Sequence, residues 1–426
     1  MMSSKTMAYA CVCCLFFLFL SFVAISCEIN CQVIPHLFAR EPDIYIPTDA
    51  GSTEIWTSSS NEFQCAGVQV VRYTIKPNRH VLPLYVNADE LCYTVQGKLM
   101  FGLIVPECSQ ELDGEKNEYD EIFHLESGEV LAYRGGETFW GYNDGNETCV
   151  VIVISRTPNT DPLRIFCLGG PQNILGGLSL EFTTNAFNIN NELATKLQRK
   201  IGRKHNTICV TESELHLSNS PTTQPYPKQD QRERKGSYNI NDESFCDINT
   251  RMVKISDPSR ADLFVPELGH FTTIDVHQLS IHESSQLSIS YNLLLKDVMR
   301  LPHWEKSYSI FYVVKGEGHI QIVSDSGKNV FDDIIKEGQL LSVPHSFLIA
   351  EQAKSDRFEY VTFKTNANPI TSDLSGRNSV INYLPLEVLE NAFNINKEEA
   401  KMVKFGRKET SLVKTYQNIS EEEILN

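Results

Sequence analysis

Residues that could do chemistry are numerous in this chain, but few stand at a spacing that catalysis requires. The 426 residues include 11 histidines and 12 cysteines. No HExxH pair, no G-x-S-x-G nucleophile turn and no P-loop occurs in the sequence. The chain carries 38 basic and 54 acidic residues, and a net charge of −16 repels phosphate backbones. The composition therefore disfavours general nucleic-acid binding.

The first 26 residues have the layout of a secretory signal peptide. Lys5 precedes an apolar run from Ala10 to Ser26, and Ala24 and Ser26 place small residues at the −3 and −1 positions of a cleavage site. A membrane anchor is the alternative, because a run of this length approaches that of a membrane span. No cationic flank follows the run, which favours the signal peptide. We therefore expect secretion, and no membrane contact after signal removal.

Secretion changes what the cysteines can do, because thiols pair in an oxidising compartment. Nine cysteines remain after cleavage, and none forms a CxxC pair of a zinc ribbon or redox motif: Cys27, Cys31, Cys65, Cys92, Cys108, Cys149, Cys167, Cys209 and Cys246. The odd number means that at least one stays free or pairs with another chain. Cys92, Cys149 and Cys167 lie in or beside apolar runs, and we expect them to be buried thiols. Asn146 and Asn418 begin sequons and are candidate glycosylation sites.

The chain is an internal duplication. Asn185–Asn190 recurs as Asn391–Asn396, which is six identical residues at an offset of 206. Each copy follows an apolar, helix-prone segment, Ile174–Phe182 or Leu386–Ala392. Each copy also precedes a charged stretch with helical period, and an asparagine lies where it can cap that helix. The repeat therefore predicts a small helical subdomain at the end of each half.

Short β-prone runs, punctuated by turn residues, lie upstream of each helical end. They are Val68–Ile75, Leu91–Val95, Leu99–Val105, Val130–Tyr133 and Thr148–Ser155, then Gln286–Leu295, Ile310–Val314, His319–Val323, Gln339–Val343 and Phe358–Lys364. Many short strands with frequent turns predict a sandwich or a barrel. The sequence therefore predicts two equivalent β-barrels, each followed by helices.

The segment between the halves has the composition of a linker. Ser218–Lys235 contains almost nothing apolar, so it cannot bury enough surface to order itself. We therefore divide the chain into a signal peptide at 1–26, a first β domain with its helical end at 27–217, a disordered linker at 218–238, and a second β domain with its helical end at 239–426.

Two strand-turn segments, Tyr93–Gly97 and Tyr312–Gly316, resemble those of a cupin barrel. More specific motifs run along most of the mature chain: Cys31-Gln32, Glu41-Pro42-Asp43, Glu54-Ile55-Trp56, Gln64–Val68, Asp257–Asp262, Pro302-His303-Trp304 and Phe331-Asp332. Together with the helical repeats, these are similar to the bicupin seed globulins of the legumin, or 11S, type. The resemblance implies a mainly β fold of two cupin (jelly-roll) barrels, each followed by a small helical subdomain.

Many cupins bind a metal ion through three histidines and a glutamate inside the barrel, and the resemblance allows those positions to be tested. When the halves are aligned on their turn glycines, the first has Pro83, Tyr85, Glu90 and Phe139 there. The second has Pro302 or His303, Trp304, Ser309 and Ile349. Neither set can form the usual site, so we expect no metal, no cofactor and no catalytic residue.

Two of these residues keep a ligand-type side chain. We expect His303 to be a packed or hydrogen-bonded residue, with metal binding as the alternative. We expect Glu90 to lie at the surface or at a strand end. A buried Glu90 with a raised pKa is the alternative, and it would mark a functional site.

The resemblance also implies covalent features. Cys31 would pair with Cys65, and Cys108 would pair with Cys246 to join the two halves. The segment before Cys246 resembles the site where an asparaginyl endopeptidase cuts the family's precursors, here after Asn239. Ile240 stands where the family has glycine, and this β-branched residue could slow the cut or move it to Asn241.

The function implied by the resemblance is a non-catalytic seed storage protein, or nutrient reservoir, routed through the endoplasmic reticulum to protein storage vacuoles. Its partners would be copies of itself or other storage globulin subunits, in trimers or hexamers, which the sequence leaves open. Residues 240–426 carry 19 basic and 27 acidic residues, whereas the family's second chain is usually basic, so this is a divergent or minor member. The alternatives are a divergent cupin enzyme or small-ligand or metal-binding protein, and a defence protein of the apoplast.

Overall fold

The computed structural model describes Cys31 and residues 36–48, 50–57, 61–104, 122–156, 163–199, 210–211, 251–275, 277–279 and 285–415. His36–Asn426 form one compact unit. The predicted signal peptide (1–26) and linker (218–238) lie outside the described residues. So do eight of the cysteines, processing positions and sequon asparagines named above: Cys27, Cys108, Cys209, Asn239, Ile240, Asn241, Cys246 and Asn418.

The first barrel contains strands that form two antiparallel sheets. They are β1 Ile44–Thr48, β2 Gly51–Trp56, β3 Val68–Ile75, β4 His80–Val86, β5 Glu90–Gln96, β6 Lys98–Ile104, β7 Ile122–Glu126, β8 Glu129–Tyr133, β9 Thr138–Tyr142, β10 Cys149–Arg156, β11 Ile165–Cys167 and β12 Val210–Thr211. A short helix, α1 (Asn61–Ala66), precedes β3. One sheet has the order β1-β2-β3-β10-β5-β8, and the other has the order β11-β4-β9-β6-β7, with β12 also on β4. Apolar side chains from both sheets fill the interior.

The second barrel repeats this plan. Its strands are β14 Leu263–Val265, β15 Gly269–Ile274, β16 Ser288–Leu295, β17 Val298–Glu305, β18 Ser309–Lys315, β19 Glu317–Val323, β20 Asn329–Lys336, β21 Leu340–Val343, β22 Leu348–Ala353, β23 Arg357–Lys364, β24 Thr371–Asp373 and β25 Leu412–Lys414. The sheet orders are β14-β15-β16-β23-β18-β21 and β20-β19-β22-β17-β24, with β25 also on β17. Each of the predicted runs coincides with a strand to within two residues, and the mainly β prediction is confirmed.

The two halves exchange short backbone segments. A further strand, β13 (Met252–Lys254), follows the predicted linker in sequence but pairs with β8 of the first barrel. The buried Arg251 guanidinium anchors this strand with hydrogen bonds of 2.8 and 3.0 Å to the Glu137 carboxylate. In return, the Arg40 backbone exchanges two hydrogen bonds with Leu340 of the second barrel. Backbone contacts therefore join the halves in both directions.

The helical ends follow the repeat. In the first half, 3₁₀ turns at Gly170–Gln172 and Ile174–Gly177 lead to α2 (Leu180–Phe187) and α3 (Asn191–Leu197). The predicted apolar segment Ile174–Phe182 is thus divided, because Ser179 caps a new helix. The second half has α4 (Val380–Tyr383), α5 (Leu386–Phe393) and α6 (Lys397–Phe405).

Asparagines of the repeated hexapeptide shape both ends. Asn188 and Asn394 end α2 and α5 in the left-handed region, with φ of 50° and 52°, which asparagine tolerates better than most residues. Asn190 and Asn396 then cap α3 and α6 through their side-chain oxygens, and Glu399 completes a capping box. The predicted capping role is confirmed in both halves.

An apolar layer lies between the barrels. It joins buried side chains of the first barrel, such as Val70, Tyr93 and Ile152, to buried side chains of the second, such as Tyr312 and Val361. These residues alternate along their strands with residues that point into the barrels. Contacts on both faces explain why the residues of β10, β16 and β23 are buried along most of each strand.

Candidate functional site

An aromatic side chain fills the first barrel at one of the positions of the missing ligands. Phe139 is buried, stacks on Phe101 with ring centroids 5.5 Å apart, and lies 4.8 Å from the Tyr133 ring. Tyr85 is half-buried, stacks on Phe166 at 4.7 Å and lies between the core residues Leu84 and Val86, so it faces away from the barrel core. The contacts of Phe139 stabilise the interior by burying apolar surface where a metal ion would require open coordination.

Glu90 is the polar group of this interior. It begins β5, as expected for a strand end, but it is 6% exposed, so the expectation of a surface residue was wrong. Tyr133 and Ser155 donate hydrogen bonds of 2.5 Å to its two carboxylate oxygens. Burial raises the pKa of Glu90 to about 7, although these hydrogen bonds oppose the change. The alternative of a buried carboxyl with a raised pKa is therefore confirmed.

His303 lies in the interior of the second barrel. It is 1% exposed, and its Nδ1 lies 3.1 Å from the carbonyl oxygen of Leu301. Burial and the nearby Arg300 lower the pKa of His303 to about 3, so the imidazole is neutral at physiological pH. The expectation of a packed, hydrogen-bonded histidine is confirmed.

A buried ion pair lies at the same end of the second barrel. Lys364 Nζ is 2.7 Å from Glu305 Oε1, and Ser309 donates a 2.9 Å hydrogen bond to Glu305 Oε2. Burial would raise the pKa of Glu305, but Lys364, His303 and Arg300 lower it to about 2. Glu305 is therefore ionised and paired across the physiological pH range.

The two barrels use different charges at equivalent positions. Glu90 lies opposite Ser155 in the first barrel, and Ser309 lies opposite Lys364 in the second. Glu90 lies opposite a serine where the second barrel has Lys364. Glu90 therefore keeps its proton to a higher pH than Glu305, which pairs with that lysine. Sequence reasoning missed Lys364, although a lysine directly after the apolar Phe363 in a predicted strand was a usable signal.

Glu351 completes the polar interior of the second barrel. Its Oε1 accepts a 3.2 Å hydrogen bond from Tyr360, and its Oε2 lies 3.7 Å from His303 Nδ1. Burial raises the pKa of Glu351 to about 7, against the effect of Arg300. Within the described ranges, no group of three or more His, Cys, Asp or Glu side chains is arranged to hold a metal ion.

A polar cleft of about 890 Å³ opens between the barrels. Arg72 crosses it, donating hydrogen bonds of 3.1 Å to the Tyr312 hydroxyl and 3.2 Å to the Gly338 carbonyl oxygen. The same guanidinium pairs with Glu54. Arg72 thus links a strand of the first barrel to two segments of the second, and its role is structural.

The helical ends expose large apolar side chains. In the first half these are Leu178, Leu180, Phe182, Phe187, Leu193 and Leu197, and Phe182 is 71% exposed. In the second half they are Val380, Tyr383, Val388, Phe393, Met402, Val403 and Phe405. Contiguous exposed apolar surface on a folded chain is typical of a contact with another protein. The two surfaces are built from the same repeated motif.

The five cysteines in the described part of the mature chain divide into two groups. Cys31, Cys65 and Cys167 are disulfide-bonded, whereas Cys92 and Cys149 are buried free thiols. The expectation of a buried thiol is confirmed for Cys92 and Cys149 and was wrong for Cys167. Cys167 is the last residue of β11. Because β11 and β12 both pair with β4, the segment that contains β12 lies close to Cys167. The pairing of Cys31 with Cys65 stays a prediction.

Two features bear on the secretory expectation. Asn146 is exposed in the loop between β9 and β10, where a sugar could be attached, and its glycosylation stays a prediction. Of the helices in the described part of the chain, none has the length and apolar character needed to cross a membrane.

Comparisons with known proteins agree with this geometry. The family model described as Cupin matches residues 37–195 and 253–401. An 11S globulin seed storage protein of Anacardium occidentale is 33% identical, covering 90% of this chain and 92% of its own. The 12S seed storage protein CRB of Arabidopsis thaliana is 31% identical, covering 93% and 94%.

Solved structures give the same result. The chain matches the coconut allergen cocosin with a TM-score of 0.79 and 32% identity, covering 91% of this chain and all of the other. It matches procruciferin, an 11S globulin of Brassica napus, with a TM-score of 0.77 and 29% identity, again covering 91% and 100%. The chain therefore belongs to the cupin family, with one cupin domain in each half. Within that family it groups with the 11S globulins, whose function is seed storage.

The first prediction concerns the pH dependence of stability. Glu90 has a pKa of about 7 in the folded chain, against 4.5 for an ordinary glutamate. Protonated Glu90 therefore contributes to the free energy of unfolding. This contribution is complete below pH 4.5 and is lost as the pH rises through 7. Thermal unfolding between pH 4.5 and 8 should therefore show a falling Tm. Glu90→Gln should remove part of this fall. The part removed corresponds to at most about 3 kcal/mol in the free energy of unfolding.

The exposed Glu147 provides the control, because Glu147→Gln should leave the pH profile unchanged. Glu351 titrates in the same range, so some of the fall should remain in Glu90→Gln. A Glu90→Gln profile that overlays the wild-type profile would contradict the role given to Glu90.

The second prediction concerns the buried ion pair. Lys364→Met leaves the Glu305 carboxylate buried without its cation, which costs about 3–5 kcal/mol in the free energy of unfolding. The double variant Lys364→Met/Glu305→Gln removes both charges and should recover most of that loss. Denaturant unfolding of the two single variants and the double variant measures the coupling. Additive losses would show that the two groups do not interact.

Proposed function

We propose that this chain is a non-catalytic nutrient reservoir, delivered through the secretory pathway to protein storage vacuoles. The observation that supports it most is that both barrels are occupied by their own side chains where a cupin enzyme would bind its metal ion. Phe139 and Tyr133 pack in the first barrel, and the Glu305–Lys364 pair lies in the second. Such interiors favour a dense, stable particle over a reaction chamber.

The proposal includes assembly through the helical ends. Each chain carries two exposed apolar surfaces, one at the end of each barrel. A contact between the first surface of one copy and the second surface of the next is head-to-tail, and repeated contacts of this kind close into a ring. A trimer is the ring that we propose, and two trimers stacked face to face would give a hexamer.

The assembly prediction uses one aromatic residue from each surface. Phe182→Asp and Phe393→Asp place a charge in the proposed contact, so each should weaken the assembly more than tenfold. Analytical ultracentrifugation should show trimers or hexamers for the wild type and monomers for these variants. Tyr45→Asp is the control, because Tyr45 is 60% exposed but lies on β1, outside the helical ends. Retained assembly in both helical variants would contradict the proposal.

The proposal also includes processing of the precursor after Asn239, with a Cys108–Cys246 disulfide joining the products. The backbone contacts between the halves support it. The strand β13 lies beyond the cut in sequence but pairs with β8 of the first barrel. The Arg40 backbone bonds to Leu340 of the second barrel. A chain cut between these segments would keep both contacts and stay folded.

The processing prediction is tested by incubating the full chain with an asparaginyl endopeptidase. We expect a new amino terminus at Ile240, and a product that separates into two pieces only on a reducing gel. Asn239→Gln should block this cut, and Asn241→Gln should not. A new terminus at Asp242 would move the site to Asn241. Separation without reductant would contradict the disulfide between the halves.

A further inference from the structure

One disulfide of this chain is left unexplained by the pairings proposed above. Cys167 is disulfide-bonded and 1% exposed. Cys92 and Cys149 are free thiols, so neither is its partner. If Cys31 pairs with Cys65 and Cys108 pairs with Cys246, the remaining cysteines of the mature chain are Cys27 and Cys209.

The backbone brings β12 close to Cys167. Strands β11 and β12 both pair with β4, and Cys167 lies opposite Leu84 while Val210 lies opposite Val81. Three residues along a strand span roughly 10 Å, and Cys209 immediately precedes Val210 in the sequence. Disulfides join Cα atoms up to roughly 6.8 Å apart, so a residue one step closer than Val210 to the partner of Cys167 would be within reach of a disulfide.

The second half of the chain provides an internal template for this contact. Strand β24 lies on β17 as β11 lies on β4, and β25 corresponds to β12. Asp373 lies opposite His303, and Leu412 lies opposite Arg300, in the same relation as Cys167 to Leu84 and Val210 to Val81.

The residue before Leu412 is Ser411, and its hydroxyl donates a 2.9 Å hydrogen bond to Asp373 Oδ2. The side chains at the two template positions therefore touch. Ser411 is 4% exposed, as buried as a residue in this contact should be. This contact shows that the two backbone positions are close neighbours, which is the condition that a disulfide between them requires.

We propose that Cys167 and Cys209 form a disulfide that closes the base of the first helical end, where the second half uses the Asp373–Ser411 hydrogen bond. Its formation oxidises two thiols. A disulfide of glutathione or of a protein oxidoreductase in the secretory pathway accepts the two electrons and two protons, and becomes two thiols. The bond encloses α2 and α3, which carry the exposed apolar surface of this end.

The disulfide has a consequence for a cut chain. Cys209 is followed, through β12, by the predicted linker, which is the part most open to proteases. With the bond in place, a cut in the linker leaves both ends of the helical segment fixed to the barrel. The contact surface of the first half would therefore survive processing or early degradation.

Peptide mapping without reductant tests the bond in the full chain. Trypsin cuts after Arg164, Lys196, Lys204 and Lys228, which yields peptides 165–196 and 205–228 with one cysteine each. We expect a linked species whose mass is the sum of the two minus two hydrogens, and reduction should split it. Peptide 165–196 linked to any other cysteine peptide would overturn the proposal.

Variants give an independent test. In Cys209→Ala, Cys167 should become alkylatable after unfolding without reductant, and the Tm should fall by about 5 °C or more. Cys167→Ala should lose the same amount, and the double variant should lose no more than either single variant. Cys149→Ala removes a free thiol, so it should leave the linked peptides intact. Additive losses, or a Cys167 that stays blocked in Cys209→Ala, would refute the bond.

Discussion

The apolar layer between the two barrels is the interaction on which the rest of the structure depends. In each barrel, one sheet has buried side chains on both of its faces. In an isolated half, one of these apolar faces would be exposed to water. This explains why the chain exchanges β13 and the Arg40 backbone between its halves. The layer contains residues of both barrels, from each of which a helical end follows in the chain.

The two barrels of the duplicated unit have different polar groups in their interiors. The first barrel has aromatic rings and one carboxyl with a raised pKa, and the second has an ion pair and a neutral histidine. In both barrels most of these polar groups bond to neighbouring side chains, although Arg300 Nε and Glu351 Oε2 in the second barrel are buried without a hydrogen-bond partner. The two halves also differ at the base of their helical ends. The second half has the Ser411–Asp373 hydrogen bond there, and the first half has the disulfide-bonded Cys167 at the corresponding position.

Local features of the fold could be predicted from the sequence, and contacts between distant strands could not. The strand runs, the duplication and the asparagine caps follow from periodicity and residue type, which act over a few residues. The burial of Glu90 depends on Tyr133 and Ser155, which lie 43 and 65 residues away. The disulfide of Cys167 likewise depends on which strand pairs with β4 next to β11. Pattern alone indicates neither of these contacts.

Quantitative mass spectrometry of the chain, in the seed that produces it, tests the storage function. The measurement follows the amount of the protein per seed from maturation through germination. A storage protein should accumulate during maturation, persist in the dry seed and be degraded within days of water uptake. A chain that is scarce in the dry seed, or that keeps a constant amount while the seedling grows, would contradict a storage function.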